Sequence, residues 1–182
     1  FKRTFRYFSR FLVHVSDNEV LQQWLKKWLI YEARRWVDLQ DIVAWMPALR
    51  EYKTYSDKLG TDGIVDRIDR IDGKYLLLEY KTGHTHNRSQ LRKELSFYWL
   101  TLRNGTHPIW LDVSKIEYWG VINPRWDPII WYEEIRPTSI RRTLKQINEV
   151  REAIERGEFP EKRNRCDYCE FLEYCLREDD LL

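Results

Sequence analysis

The sequence predicts an α/β fold in which a sheet of about five strands is flanked by helices. β-rich runs bounded by turn residues recur along the chain. They occupy residues 51–55, 63–69, 74–81, 115–123 and 129–135. Around these runs, apolar residues recur at steps of three and four, which is the period of an amphipathic helix. No repeat or linker interrupts the pattern, so residues 1–182 are predicted to form a single domain.

Composition narrows the class of protein. A chain of 182 residues is long enough for a sizeable core, and nine Trp argue against disorder. The net charge of +2 gives no global polyanion-binding signature, so nucleic-acid binding would need local patches. No apolar run reaches the roughly 20 residues of a membrane span, and no signal peptide is recognisable. We therefore expect a cytoplasmic protein that does not associate with a membrane. The first residue is Phe1 rather than Met, which suggests that sequence upstream is missing.

The first predicted helix carries a carboxylate in its apolar stripe. It begins at a capping box, residues 16–19, in which a serine caps the helix and a glutamate follows three residues later. Glu32 falls where the stripe would place a leucine. From the pattern alone, Glu32 is a partner for Arg35, a carboxylate at the edge of the stripe, or a functional group.

Residues 63–83 predict a β-hairpin that carries polar groups a buried sheet normally excludes. An Asp-Gly pair supplies the two-residue turn. Residues two apart on a strand share a face, so Glu79 lies with Lys81, and Asp66 lies among isoleucines. A carboxylate in such surroundings is costly unless it is compensated. Mg²⁺ or Mn²⁺ held by Asp66 and Glu79 would compensate it and could orient a water against a phosphate.

The hairpin resembles a known nuclease signature. Gly63-Ile64-Val65-Asp66 followed by Glu79-Tyr80-Lys81 is similar to the G-h-h-D…E-x-K pattern of the PD-(D/E)xK nuclease superfamily. The branch it most resembles is the RecB-like one, which includes CRISPR adaptation exonucleases. A structural hairpin with surface ion pairs is the alternative explanation of the same residues.

The resemblance implies a restriction-endonuclease-like core with a mixed central sheet and a site at one sheet edge. Asp66 and Glu79 would then hold one or two metal ions, with the Tyr80 carbonyl completing the shell. Lys81 would orient the attacking water or neutralise the developing oxyanion. Family members also place a metal-binding His or Glu on a helix ahead of the hairpin, and Glu32 is the candidate for that role.

The helix predicted after residue 87 supplies two further candidates. Family members carry a Q-L-x-x-Y motif here, and residues 94–98, ELSFY, match it with Glu94 in place of Gln. Glu94 and Tyr98 would contact substrate or support the metal ligands, and Gln90, one turn earlier, could replace the missing amide. A plain amphipathic helix would explain the same residues.

A cysteine-rich lobe is predicted at about residues 160–182, after a helix over 137–157. Cys166, Cys169 and Cys175 lie so close together that a role as core cysteines is the less favoured alternative, and a C-x₂-C pair can chelate a metal centre. Their spacing also resembles the iron–sulfur variety of RecB-like nucleases. The resemblance implies a 4Fe–4S cluster whose fourth ligand is not in this sequence, with zinc as the rival metal.

The function that the resemblance implies is metal-dependent hydrolysis of DNA phosphodiester bonds. The enzyme would be an exonuclease on DNA ends or single strands, in CRISPR adaptation or DNA repair, with a helicase or a CRISPR integrase as partner. One alternative is a catalytically silent module that keeps the fold to grip DNA or a helicase. Another is a zinc-ribbon-like binding protein in which the hairpin acids are incidental.

Overall fold

The structure is a computed structural model that describes residues 18–83 and 87–158. The described helices are α1, Glu19–Leu39, α2, Ile42–Trp45, α3, Arg88–Asn104, and α4, Pro137–Glu155. The described strands are β1, Leu49–Ser56, β2, Thr61–Ile71, β3, Lys74–Tyr80, β4, Ile116–Ile122, and β5, Ile130–Glu134. A 3₁₀ turn, Val113–Lys115, leads into β4.

The five described strands form one mixed sheet in the order β1-β2-β3-β4-β5. β1, β2 and β3 are antiparallel neighbours, β3 and β4 are parallel, and β4 and β5 are antiparallel. The parallel pair requires a crossover, which α3 provides. The predicted α/β fold with a mixed five-stranded sheet flanked by helices is therefore confirmed, and it is consistent with a restriction-endonuclease-like core.

Local sequence explains where the first elements begin and turn. Asp72 and Gly73 both have positive φ, 47° and 75°, which a two-residue hairpin turn of type I′ requires. Asn18 is the N-cap of α1, because its side chain accepts hydrogen bonds from the backbone N–H groups of Val20 and Leu21. The predicted capping residue, Ser16, lies outside the described residues.

Helices cover both faces of the sheet. On one face, Leu77 of β3 belongs to the main core, together with Leu91 and Leu95 of α3. On the other face, Leu76 and Leu78 form a second cluster, against which aromatic side chains of α1 pack. The run of three leucines is thus buried on both sides, as its lack of alternation predicts.

The chain divides into two compact units, Phe1–Ile147 and Asn148–Leu182. The first contains the sheet, α1 to α3 and the beginning of α4. The described part of the second, residues 148–158, contains the end of α4. The single domain and the cysteine-rich lobe stay predictions, and the lobe lies outside the described residues. Within the described ranges, no helix has the length and apolar character that crossing a bilayer would need.

Candidate active site

The candidate site lies where β2 and β3 separate. Their pairing ends at Arg67 and Leu78, although both strands continue beyond this pair. In the gap, the backbone N–H of Tyr80 donates a 2.9 Å hydrogen bond to Oδ2 of Asp66. A side-chain carboxylate thus takes the place of a strand carbonyl.

β1 shows the matching irregularity. Its register with β2 omits Glu51 and Asp66, which would face each other, and Glu51 has φ of +45°. A left-handed conformation is uncommon for a residue other than glycine. Val65 and Ile68, three residues apart, both enter the main core, so β2 does not alternate regularly across Asp66. The strand bends here, and Asp66 is freed from the regular ladder.

Lys81 joins two carboxylates from different elements. Its Nζ lies 2.9 Å from Oε1 of Glu79 and 2.6 Å from Oε1 of Glu94 on α3. Burial lowers the pKa of Lys81, but the hydrogen bonds to Glu94 and Glu79 outweigh it and hold that pKa above its ordinary value. The ammonium is therefore charged at neutral pH, and it links the sheet to the crossover helix.

Glu79 is the most perturbed acid of the site. Only 7% of it is exposed, and burial raises its pKa to about 7. The hydrogen bond from Lys81 lowers this pKa, whereas the charge of Asp66 raises it. When both are ionised, Asp66 and the buried Glu79 repel each other. Binding of a proton or of a cation at Glu79 is therefore favoured.

Tyr98 stands one turn beyond Glu94 on α3, over β2. A Cβ at Gly63 would lie 3.1 Å from the Tyr98 ring, which is a tighter contact than most side chains tolerate. Gly63 therefore gives the ring room to lie against the strand. Burial, followed by the charges of Glu79 and Glu94, raises the pKa of the Tyr98 hydroxyl, so it stays protonated and can donate a hydrogen bond.

Glu32 lies in a different network, on the face that α1 covers. Its Oε1 is 2.5 Å from Nη1 of the buried Arg67, and its Oε2 is 2.7 Å from Nη1 of Arg35. Nη1 of Arg67 also reaches the hydroxyl of Tyr80 at 3.3 Å. The partnership with Arg35 that the sequence allowed is formed, while no hydrogen bond or ion pair among the described residues joins Glu32 to Glu79. A role for Glu32 as a metal ligand stays a prediction.

The donor set fits a hard divalent cation. No three His, Cys, Asp or Glu side chains of residues 18–83 and 87–158 are arranged to hold one metal ion. Mg²⁺, however, keeps several waters and is often bound by one or two carboxylates together with substrate phosphates. Asp66 and Glu79 can supply those carboxylates, and a bound cation would compensate the charge of Glu79, whose pKa is raised by burial first and by the charge of Asp66 second.

Comparison with known proteins decides the family. The sequence model of the PD-(D/E)XK nuclease superfamily matches residues 6–176. The chain belongs to this superfamily. Members are typically metal-dependent nucleases and usually use Mg²⁺ or Mn²⁺. A search of curated proteins found no significant match.

Membership in the PD-(D/E)XK superfamily gives the hairpin residues their context. The structure brings Asp66, Glu79, Lys81, Glu94 and Tyr98 together, whereas Gln90 lines a separate cavity. Glu94 forms an ion pair with Lys81, and its correspondence to the Gln of the Q-L-x-x-Y motif stays a prediction. Assignment to the RecB-like branch stays a prediction.

The three cysteines proposed to hold iron–sulfur or zinc lie outside the described residues. Cys166, Cys169 and Cys175 belong to the range that follows residue 158. Their ligand role stays a prediction, as does the identity of their metal.

Two contributions to the site were missing from the sequence interpretation. Arg67 donates a hydrogen bond to the Tyr80 hydroxyl on the face opposite Lys81. The sequence signal for this role was an arginine two residues from Asp69 on the same β-rich run, where the two can form an ion pair. Gly63 belongs to the nuclease-like motif, but the sequence does not show that it makes room for Tyr98, because that contact depends on α3 lying against the sheet.

Because the pKa of Glu79 is raised, the metal-free protein should lose stability as pH rises from about 4.5 to about 7. In this window the folded state keeps a proton that the unfolded chain has already released, so folding is favoured at the acid end. Replacing Glu79 with Gln should remove this contribution and raise the melting temperature at pH 8. Thermal unfolding of both proteins in EDTA at pH 5 and pH 8 measures this contribution.

Addition of Mg²⁺ at pH 8 provides the control for this measurement. The cation should raise the melting temperature of the wild type and leave that of Glu79→Gln nearly unchanged. Parallel stability profiles for the two proteins would show that Glu79 ionises at its ordinary pKa.

Proposed function

We propose that this protein is a metal-dependent deoxyribonuclease that hydrolyses phosphodiester bonds of DNA. The observation that carries the proposal is the arrangement of Asp66, Glu79 and Lys81 at the end of the β2–β3 pairing. Two carboxylates and an ammonium meet there at an open strand gap, and both the family match and the raised pKa of Glu79 support a cation site.

In this proposal Asp66 and Glu79 hold the cation, with the Tyr80 carbonyl as a further candidate ligand. A divalent cation lowers the pKa of a water and stabilises charge that builds on a phosphate. Lys81 remains protonated, so it positions the attacking water by hydrogen bonding or neutralises charge on the phosphate oxygens. Glu94 keeps the ammonium of Lys81 in place, and the Tyr98 hydroxyl donates to substrate.

Cleavage should depend on a divalent cation. Purified protein incubated with labelled single- and double-stranded DNA should cleave with Mg²⁺ or Mn²⁺ and lose all cleavage in EDTA. The physical reason is that a divalent cation can activate a water and stabilise the charge that builds on the phosphate, and that Lys81 alone does not offset the burial of Glu79 beside Asp66. Gel analysis of the products over time measures the rate.

The matched control is addition of excess Mg²⁺ after EDTA treatment. Cleavage should return, which excludes irreversible damage to the protein by EDTA. Robust cleavage in EDTA would contradict the metal mechanism. The catalytically silent DNA- or helicase-binding module would gain support if DNA bound normally and no cation produced cleavage.

The finer assignment follows from the resemblance to RecB-like nucleases. We propose an exonuclease that acts on DNA ends or single strands, in CRISPR adaptation or DNA repair, with a helicase or integrase as partner. Cys166, Cys169 and Cys175 would hold a 4Fe–4S cluster, with zinc as the alternative. Products that shorten progressively from labelled ends support exonuclease action, whereas internal fragments from circular DNA would contradict it.

A further inference from the structure

A polar cavity lies between α3 and the beginning of α4, apart from the candidate active site. Its volume is about 410 Å³, which is near the lower end of the roughly 300–1,000 Å³ of typical ligand pockets. Unlike those pockets, it has a strongly cationic lining. Four basic side chains contribute to the wall, and no carboxylate of the described residues does. They are Arg92, Lys93, Arg136 and Arg142.

Two of these cations are fixed in position by one acid behind the wall. Glu133 accepts hydrogen bonds of 2.6 and 2.9 Å from Arg92 and one of 2.9 Å from Arg136. The hydrogen bond from Arg92 holds the pKa of Glu133 below its ordinary value. One carboxylate thus orients two guanidinium groups without neutralising both.

The other two cations remain available to a ligand. Lys93 and Arg142 form no ion pair with any described residue, and both side chains are exposed. Hydroxyl groups of Ser89 and Ser139 also line the cavity and can donate hydrogen bonds. The first turn of α4 adds the positive end of a helix dipole. Converging cations and hydroxyl donors are the groups that recognise a phosphate.

The cavity and the candidate active site share α3. Lys93, in the cavity wall, directly precedes Glu94, which pairs with Lys81. Successive residues on a helix point about 100° apart, so α3 presents one face to each site. A strand of nucleic acid bound at the active site can therefore continue into the cavity along the same helix.

We propose that this cavity binds a phosphate group of the nucleic-acid substrate away from the bond that is cleaved. The choice of a nucleic-acid strand rests on the proposed function, whereas the anion-binding chemistry follows from the lining residues alone. The cavity would then anchor the strand by its backbone, without base specificity.

Binding measured without cleavage tests the cavity. Fluorescence anisotropy with labelled single- and double-stranded oligonucleotides in EDTA gives the dissociation constant over a range of salt concentrations. The double variant Lys93→Ala/Arg142→Ala should bind at least about tenfold more weakly than wild type. The slope of log affinity against log salt should fall by roughly one for each phosphate contact removed.

Arg141→Ala is the matched control. Arg141 precedes Arg142 on the same helix and is exposed, but it does not line the cavity. It should change affinity far less than the double variant. Circular dichroism verifies that all variants fold, which their exposed positions lead us to expect.

Equal affinities for the double variant and Arg141→Ala would overturn the assignment. Inorganic phosphate, titrated by calorimetry, separates the two sources of a phosphate group. Loss of phosphate binding in the double variant with unchanged oligonucleotide binding would make the cavity a site for free anions and would also overturn it. Because binding is measured in EDTA, a wild type that never cleaves DNA would contradict the nuclease proposal without affecting this result.

Discussion

Replacing Lys81 with alanine should lower the rate of DNA cleavage by roughly 10²–10⁴-fold, the range expected for one well-placed catalytic group. Lys81 is the only described cation that bridges Glu79 and Glu94. Its loss removes the positive charge that orients water or balances the phosphate. Cation binding should persist, because the ammonium no longer competes for the Glu79 carboxylate. Single-turnover cleavage and calorimetric titration with Mn²⁺ measure the two effects separately.

Lys81→Met and Lys53→Ala are the controls for this experiment. Lys81→Met keeps most of the side-chain volume and removes only the charge, so it should be as inactive as the alanine variant. Lys53 is exposed on β1, and its replacement should leave the rate near wild type. Full activity of Lys81→Ala would show that the ammonium has no part in catalysis.

Asp66→Asn should lose cation binding and reduce cleavage by at least about 10²-fold. Removal of a residue that only supports a metal ligand commonly costs roughly 10–100-fold, and Asp66 is proposed as a direct ligand. The Asn amide oxygen can still accept the hydrogen bond from the N–H of Tyr80. The fold should therefore survive, and the loss can be assigned to the charge.

Two comparisons sharpen the Asp66 experiment. Asp66→Ala removes the hydrogen bond as well, so its free energy of unfolding should be about 0.5–1.5 kcal/mol lower than that of Asp66→Asn. Asp62→Asn, on an exposed position of the same strand, should retain both cation binding and activity. Wild-type Mn²⁺ affinity in Asp66→Asn would remove Asp66 from the ligand set.

The sequence predicted the strands well because their signals are local. The turn at Asp72 and Gly73 uses side chains and backbone angles within a few residues. The grouping of Asp66 with Glu79 followed from the same hairpin. These features need no knowledge of distant parts of the chain.

Features that depend on elements far apart in the sequence were harder to predict. The ion pair of Glu94 with Lys81 forms only because α3 crosses back over the sheet. Glu32 illustrates the opposite difficulty. Its place in an apolar stripe indicates a buried partner, but periodicity does not reveal that the partner is Arg67 on β2. The cavity beside α3 also brings together residues that lie more than forty positions apart, Lys93 and Arg142 among them.

The parallel pairing of β3 with β4 has a consequence for the order in which the chain folds. The β2–β3 hairpin closes through a two-residue turn, whereas Leu78 meets Gly120 only after the whole crossover has formed. Local contacts form faster than contacts between distant residues. A folding chain should therefore bring Asp66 and Glu79 together before α3 delivers Glu94 and before β4 supports the end of β3. During that interval the two acids repel each other in a half-formed core, so mildly acidic conditions or a divalent cation should ease the early steps of folding.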